Sequence, residues 1–198
     1  MPIPTTMKML LIGKGYKWLG AGVDQDVFLE KSTGMVLKVF PAARVRNTSA
    51  NIAFINYCLD NPDNEFLPTF TGWTRFEYNS RQYLQIRTER LFPLKDHELE
   101  YGLEWMAETA NAYSINSLKT PKLQNSGPKI IRDSNLLSMT LDEEGVHKLW
   151  KTLIALRLLG LKLGVNRLDL HGGNFMHGSD GQIVINDPFH VSRWDPNP

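Results

Sequence analysis

From Leu168 to Phe189 the chain reads Leu-Asp-Leu-His-Gly-Gly-Asn-Phe-Met-His-Gly-Ser-Asp-Gly-Gln-Ile-Val-Ile-Asn-Asp-Pro-Phe. The middle of this stretch is a hairpin. Phe175-Met-His177 and Gln182 to Ile185 are short strand-forming runs, and Gly178-Ser-Asp-Gly181 between them carries strong tight-turn chemistry. A polar motif flanks the hairpin on each side, Asp169-Leu-His-Gly-Gly-Asn174 before it and Asn186-Asp187-Pro188-Phe189 after it. Because a hairpin returns the chain to its starting end, the two motifs are expected side by side.

Working outward, Thr140-Leu-Asp-Glu143 has the form of a capping box. It predicts a long helix to about Leu163, with Leu149, Leu153, Leu156, Gly160 and Leu163 on one face and Trp150, Ile154 and Leu161 widening the apolar surface. Lys119 to Asn135 is polar, contains two prolines and a glycine, and reads as a loop. Before it, Leu99, Leu103, Met106, Ala110 and Tyr113 recur at helical spacing behind Asp96. Ahead of Pro93 the period changes to that of strands: Tyr16 to Leu19, Val27 to Leu29, Met35 to Phe40, Phe70 to Tyr78 and Gln82 to Thr88. Lys31-Ser-Thr-Gly34 and Asn79-Ser80-Arg81 are turns. One helix, Thr48 to Leu59, interrupts the strands, capped by Thr48 or Ser49 and stopped at Asn61-Pro62. The expected fold class is therefore α+β, with an antiparallel sheet and one helix in residues 1–92 and a mainly helical part in 93–198.

The 198 residues carry 22 basic and 21 acidic side chains, a net charge of +1. That balance gives no reason to expect nucleic acid or an anionic membrane as partner. A single cysteine, Cys58, permits no intrachain disulfide. The most apolar run, Leu153 to Leu163, is too short to cross a bilayer, and the Met-Pro-Ile-Pro start lacks a signal-peptide layout. A cytoplasmic protein is expected; oligomeric state is not legible.

The two acidic motifs suit one chemistry. Phosphoryl transfer needs one carboxylate to orient the attacking hydroxyl, and a carboxylate plus an amide to hold Mg²⁺ against the phosphates. Asp169 and Asn174 supply a base and a metal ligand on one loop, and Asp187 returns the second ligand across the hairpin. In this the sequence resembles protein kinases. Asp169 to Asn174 has the catalytic-loop spacing, and Asp187-Pro188-Phe189 stands where kinases carry D-F-G. Leu19-Gly-Ala-Gly22 begins like a glycine-rich loop, although Gln25 replaces its third glycine. Val36-Leu-Lys38-Val39 is similar to the strand that bears the phosphate-contacting lysine. Tyr16-Lys-Trp-Leu-Gly-Ala-Gly22, Leu168 to Met176, Ile185 to Pro188 and Trp194 most resemble the early Ser/Thr protein kinases of T7-type bacteriophages.

The resemblance implies a two-lobed kinase-like fold with a minimal C-lobe, and ATP and Mg²⁺ as cofactors. It implies a host protein as substrate, in the host cytoplasm, with Asp169 and His171 as catalytic residues. Gly20, Gly22, Lys38, Glu89 and Leu91 would then bind the nucleotide, and Asn174 and Asp187 the metal. Two roles are open to His171: a donor to the γ-phosphate, or a hydrogen bond to Asp187 or a backbone carbonyl. His177 reads as structural, and Arg167 lies one residue out of register with the usual arginine before the catalytic Asp. The helix Thr48 to Leu59 has no glutamate to pair with Lys38, so either Asn56, Asp60 or Glu65 substitutes or Lys38 is held only by nucleotide phosphates. Few residues follow Asp187, so a protein substrate is expected to dock on the Asp96–Thr140 region or on a surface that a partner supplies, unless the chain is a shortened scaffold that binds without phosphorylating. Singly, each motif has a plainer reading: glycines that permit a turn, a solvated lysine, Asx residues that cap. A small-molecule kinase and a non-catalytic kinase-shaped binder are the alternatives.

Overall fold

The computed structural model describes residues 3–22, 25–42, 45–121, 123 and 141–189, with backbone alone at 45–49 and 115. It is a mixed α+β chain built on an antiparallel sheet and divides into two compact units. The first comprises Met1–Asp63 and Leu67–Leu91, the second Asn64–Phe66 and Phe92–Pro198. The sequence reading had drawn a single border after residue 92; the short segment Asn64–Phe66 belongs instead with the second unit.

In the first unit, β1 (Tyr16–Ala21), β2 (Asp26–Glu30), β3 (Val36–Pro41), β4 (Phe70–Tyr78) and β5 (Arg81–Thr88) form a sheet of order β1-β2-β3-β5-β4, antiparallel throughout. Asn79 and Ser80, with φ of 49° and 57°, make the two-residue turn between β4 and β5. Both residues left-handed is the conformation whose twist matches the flanking strands. β3 is apolar on both faces because each face is covered. Leu37 and Val39 join Phe28, Tyr83, Ile3 and Met7 in one buried cluster, whereas Phe40 joins Leu84, Ile86 and Ile55 in another.

Met7 belongs to a helix that the sequence reading did not contain, α1 (Thr5–Gly13), so the described residues of this unit form two helices and not one. Thr5 to Gly13 is short and nearly all apolar after its threonines, and such a run does not separate helix from strand by period. Pro4 precedes the helix without a side-chain cap. Tertiary contact holds it instead: the Asp26 carboxylate, fully buried on β2, accepts from the Ile3 N–H at 2.9 Å and the Trp18 indole at 3.1 Å. The second helix, α2 (Val45–Asp60), starts three residues before the expected cap, so Thr48 and Ser49 fall inside it.

The second unit is centred on α3 (His97–Ala112), the short α4 (Ile115–Leu118) and α5 (Glu143–Lys162). Asp96 caps α3 by accepting from the N–H groups of Glu98 and Leu99, and Leu99, Leu103, Met106 and Ala110 are buried as their spacing predicts. Asp142 caps α5, accepting from Gly145 N–H at 2.7 Å; Thr140, the expected cap, lies outside the described residues. The α5 side chains Leu149, Trp150, Leu153 and Leu156 have no exposed surface. The helix ends in a glycine turn, with Gly164 at φ 75°. Val165 N–H reaches back to the Gly160 carbonyl and Gly164 N–H to that of Leu161, which satisfies two terminal acceptors and turns the chain out toward Asp169.

Beyond that turn come a 3₁₀ turn at Gly172–Asn174 and a small antiparallel sheet. β6 (Phe92–Pro93), β7 (Phe175–His177) and β8 (Ile183–Ile185) pair in that order. The hairpin was expected, and the two-residue edge strand β6 was not, being too short to leave a period. Ile185 N–H donates to the Phe66 carbonyl at 2.9 Å, which ties the segment 64–66 to this sheet. No helix among the described residues is long and apolar enough to cross a membrane.

Candidate functional site

In the second unit the two acidic motifs are joined through their backbones. Asp169 N–H donates to the Pro188 carbonyl at 2.9 Å, and Asn186 N–H donates to the Asn174 carbonyl at 2.7 Å. These two bonds bind the loop before the hairpin to the loop after it. They therefore bring Asp169, Asn174 and Asp187 into one neighbourhood, as the hairpin reading expected.

Asn174 is held in a defined orientation. Its N–H donates to the His171 carbonyl at 2.7 Å, and its side-chain Nδ2 donates to the Asp169 carbonyl at 2.5 Å. With the amide nitrogen turned to Asp169, the amide oxygen is the acceptor it presents on its other side. Asp187 sits at φ 52°, a left-handed backbone that L-residues other than Asn and Asp seldom adopt. Phe189, two residues on, is buried, and its ring lies 3.1 Å from where a Cβ on Gly160 would stand. Gly160 in α5 thus makes room for the aromatic ring that anchors the second motif.

His171 is exposed, and its Nδ1 accepts from Gly173 N–H at 3.2 Å. As an acceptor, Nδ1 leaves the ring proton of the neutral form on Nε2. The backbone partner of Nδ1 is thus an amide N–H and not a carbonyl. His177 has the structural setting read for it: Nδ1 bonds to the Gly178 carbonyl at 2.8 Å and the ring stacks on Phe92. Arg167 pairs with Glu108, both well exposed.

In the first unit, Cα partnership links Gly20, Val27, Lys38, Ile86 and Trp73 in one row across the sheet. Directly opposed residues project to the same face, so Lys38 stands beside Val27 on the face that also bears Phe40 and Leu84. Gly20 follows a break in register between Trp18 and Gly20, a bulge that bends β1 near its end. Gly22 N–H donates to the Gln25 carbonyl at 2.8 Å. Neither glycine has a positive φ, and a Cβ on Gly20 would meet no atom within 4 Å. The backbone of the fold therefore does not require glycine at these positions. Glu89 is engaged locally: its N–H donates to the Thr69 carbonyl, and its carboxylate accepts from Thr69 N–H at 2.6 Å. Leu91 closes the first unit.

Two of the three substitutes for a helix glutamate are committed elsewhere. Asn56 accepts from the Trp73 indole at 3.0 Å, and Glu65 faces Lys148 at 3.5 Å and Gln182 at 3.0 Å. Lys148 also meets Glu144, whose carboxylate, with Glu65, raises the lysine pKa. Glu65, Glu144, Lys148 and Gln182 line a hollow at the start of α5 and the β7–β8 turn, and none of the residues expected to bind nucleotide or metal lines it.

Sequence reasoning missed the polar face of α3. Glu104 accepts from Gly172 N–H, and Asn111 bonds to both backbone groups of Leu168. The recurrence of Glu100, Glu104, Glu108 and Asn111 at one-turn spacing was the available signal, but it has the form of any solvated helix face.

Among the described residues no three His, Cys, Asp or Glu side chains gather into a metal cage. Mg²⁺ with a nucleotide requires none, since phosphates and waters supply most of its ligands. An amide oxygen and a carboxylate on adjoining loops, Asn174 and Asp187, fit a hard cation bound in that way.

No protein-family model matches the chain, and no curated protein matches it.

Proposed function

We propose that this protein is an ATP- and Mg²⁺-dependent phosphotransferase of the protein-kinase type, with a two-lobed kinase-like fold, and that it acts as a Ser/Thr protein kinase. The observation that carries the reading is the pair of backbone bonds, Asp169 to Pro188 and Asn186 to Asn174, which join the two acidic motifs. A base and two metal ligands from separate loops act together only if their backbones are locked to one another, and a capping role for either motif needs no such lock.

In this reading Asp169 orients the acceptor hydroxyl and accepts its proton. Asn174 and Asp187 would hold Mg²⁺, which when bound neutralises charge on the β- and γ-phosphates. Lys38 steadies the α- and β-phosphates, and Gly20 and Gly22 let the backbone approach them. The Nε2–H of His171 is a donor for a γ-phosphate oxygen. Glu89 and Leu91 contact the nucleotide base through backbone groups, because the Glu89 carboxylate already serves Thr69. Host proteins as substrates, a host cytoplasmic location and a phage-type role follow from the sequence resemblance alone.

The test is transfer of labelled γ-phosphate from ATP to a protein mixture by wild type, Asp169→Asn and Lys38→Ala. Asp169→Asn is expected to keep ATP affinity and lose transfer, and Lys38→Ala to weaken both. Equal transfer by wild type and Asp169→Asn would remove Asp169 from the chemistry. Labelling of a small metabolite and of no protein would make the enzyme a small-molecule kinase. Absence of transfer by wild type would leave a kinase-shaped binder.

A further inference from the structure

We infer that Asn111 and Glu104, two residues of α3 that take no part in the chemistry proposed above, are positioning residues for the loop that carries Asp169. The role in transfer rests on the phosphotransferase reading; the clamp itself does not.

Asn111 Oδ1 accepts from Leu168 N–H at 2.8 Å, and Asn111 Nδ2 donates to the Leu168 carbonyl at 3.1 Å. One primary amide thus satisfies both backbone groups of the residue before Asp169, as a neighbouring strand would. Only Asn and Gln present a donor and an acceptor side by side in this way, and Gln is one methylene too long for the same helix-to-loop distance. Two turns toward the start of α3, Glu104 accepts from Gly172 N–H. The helix also approaches closely there: a Cβ on Gly172 would coincide with the Glu100 carboxylate. Leu168 and Gly172 bracket Asp169, Leu170 and His171, so the α3 face fixes both ends of the segment that bears the proposed base.

The remaining bonds complete the restraint. Asp169 N–H is held by Pro188, and the Asp169 carbonyl by the Asn174 amide. Together these contacts restrain the loop from α3 on one side and from the second motif on the other. Precise placement of a base governs the rate of transfer far more than nucleotide affinity, because a displacement of about 1 Å can cost 10²-fold. Glu108, between Glu104 and Asn111 on the same face, pairs with the exposed Arg167 side chain, and an exposed ion pair contributes little. It is therefore the internal control.

The test uses the full chain as Asn111→Ala, Glu104→Ala, Glu104→Gln and Glu108→Gln, read by residue-resolved amide hydrogen exchange and by phosphate transfer with Mg²⁺ and ATP. Asn111→Ala is expected to speed exchange at Leu168, and Glu104→Ala at Gly172, at least tenfold, without change in α5 or the five-stranded sheet. Both should lower kcat at least tenfold with KM for ATP within twofold. Glu104→Gln, whose amide oxygen still accepts from Gly172, should restore both readouts, and Glu108→Gln should alter neither. Unchanged exchange at Leu168 and Gly172 would overturn the clamp, as would a rise spread evenly through α3 and α5. Faster local exchange with undiminished kcat would overturn the positioning role while leaving the enzyme reading intact. If wild type transfers no phosphate yet the exchange differences appear, the phosphotransferase reading and the role in transfer fail and the clamp stands. Should Asn111→Ala not fold, the two Glu104 variants decide the matter by themselves.

Discussion

The Lys8 ammonium lies 2.6 Å from the Asp26 carboxylate, and Asp26 has no exposed surface. Lys8 also rests 5.0 Å above the Trp18 ring, whose indole N–H donates to the same carboxylate. One buried anion on β2 thereby gathers the N-terminal segment, α1 and β1. Removing the carboxylate leaves the Ile3 N–H and the Trp18 indole without their acceptor, and a buried donor left unsatisfied costs about 1–3 kcal/mol. Asp26→Ala is expected to destabilise the first unit by about that much in urea unfolding. Lys8→Met should cost less, since Lys8 is partly in solvent and Asp26 keeps the Ile3 and Trp18 donors. Equal losses in the two variants would show that the ion pair, and not the carboxylate with its neutral donors, holds α1.

A pH-dependent contribution is expected from Glu30. Chiefly the Thr33 hydroxyl, helped by the Arg87 guanidinium and the Tyr16 hydroxyl, holds its carboxyl below the usual glutamate value. A lowered folded-state pKa stabilises above the unfolded pKa, about 4.3, and that contribution is lost as pH falls through the folded value. Urea midpoints of wild type and Glu30→Gln should therefore differ at pH 7, and the difference should shrink progressively as pH falls below the unfolded value and through the lowered folded one. A difference that does not shrink on acidification would exclude the carboxylate as its source.

Asp187 permits a separation of backbone from side chain. At φ 52° a Cβ costs about 1–2 kcal/mol that glycine does not incur. Asp187→Gly should be the more stable of the pair Asp187→Gly and Asp187→Ala by about 1 kcal/mol. Both should lose the Mg²⁺-dependent thermal shift on adding ATP, because both lack the carboxylate. A metal-dependent shift retained by either variant would remove Asp187 from the proposed metal site.

Gly160 is the support of Phe189. Its Cβ position is already within 3.1 Å of the Phe189 ring, so a large side chain displaces the ring. Overpacking of this kind costs about 1–3 kcal/mol. Gly160→Leu should lower the unfolding midpoint accordingly and, by moving the segment after Asp187, weaken the response to Mg²⁺ and ATP. A variant that loses stability but keeps the full nucleotide response would show that Phe189 packing and Asp187 placement are independent.

Much of the local structure was legible from spacing and caps. Asp96 followed by Leu99, Leu103, Met106 and Ala110 specifies α3, because capping and a 3.6-residue period are local properties. The apolar, β-branched run of β3, the Asn79-Ser80 turn and the Gly178–Gly181 hairpin were equally local. That the loops of Asp169, Asn174 and Asp187 lie side by side could be expected, because a hairpin of known length fixes where its two ends meet.

What lay beyond sequence was decided by contacts between distant residues. The period of Thr5–Gly13 is ambiguous, and α1 exists as a helix because Met7 enters the sheet core and Asp26 accepts from Ile3. β6 has two residues, and only pairing with β7 makes it a strand. Asn56 and Glu65 looked interchangeable as partners of Lys38 until Trp73, Lys148 and Gln182 claimed them. Asn111 and Leu168 are 57 residues apart. An asparagine on an outward helix face reads as solvated until the tertiary structure brings an unpaired backbone against it. By itself the sequence determined the periodic elements and the turn-linked motifs, whose energetics are local. The tertiary structure alone decided which polar side chains meet which backbone groups, since hydrogen-bond partners across long separations leave no periodic trace.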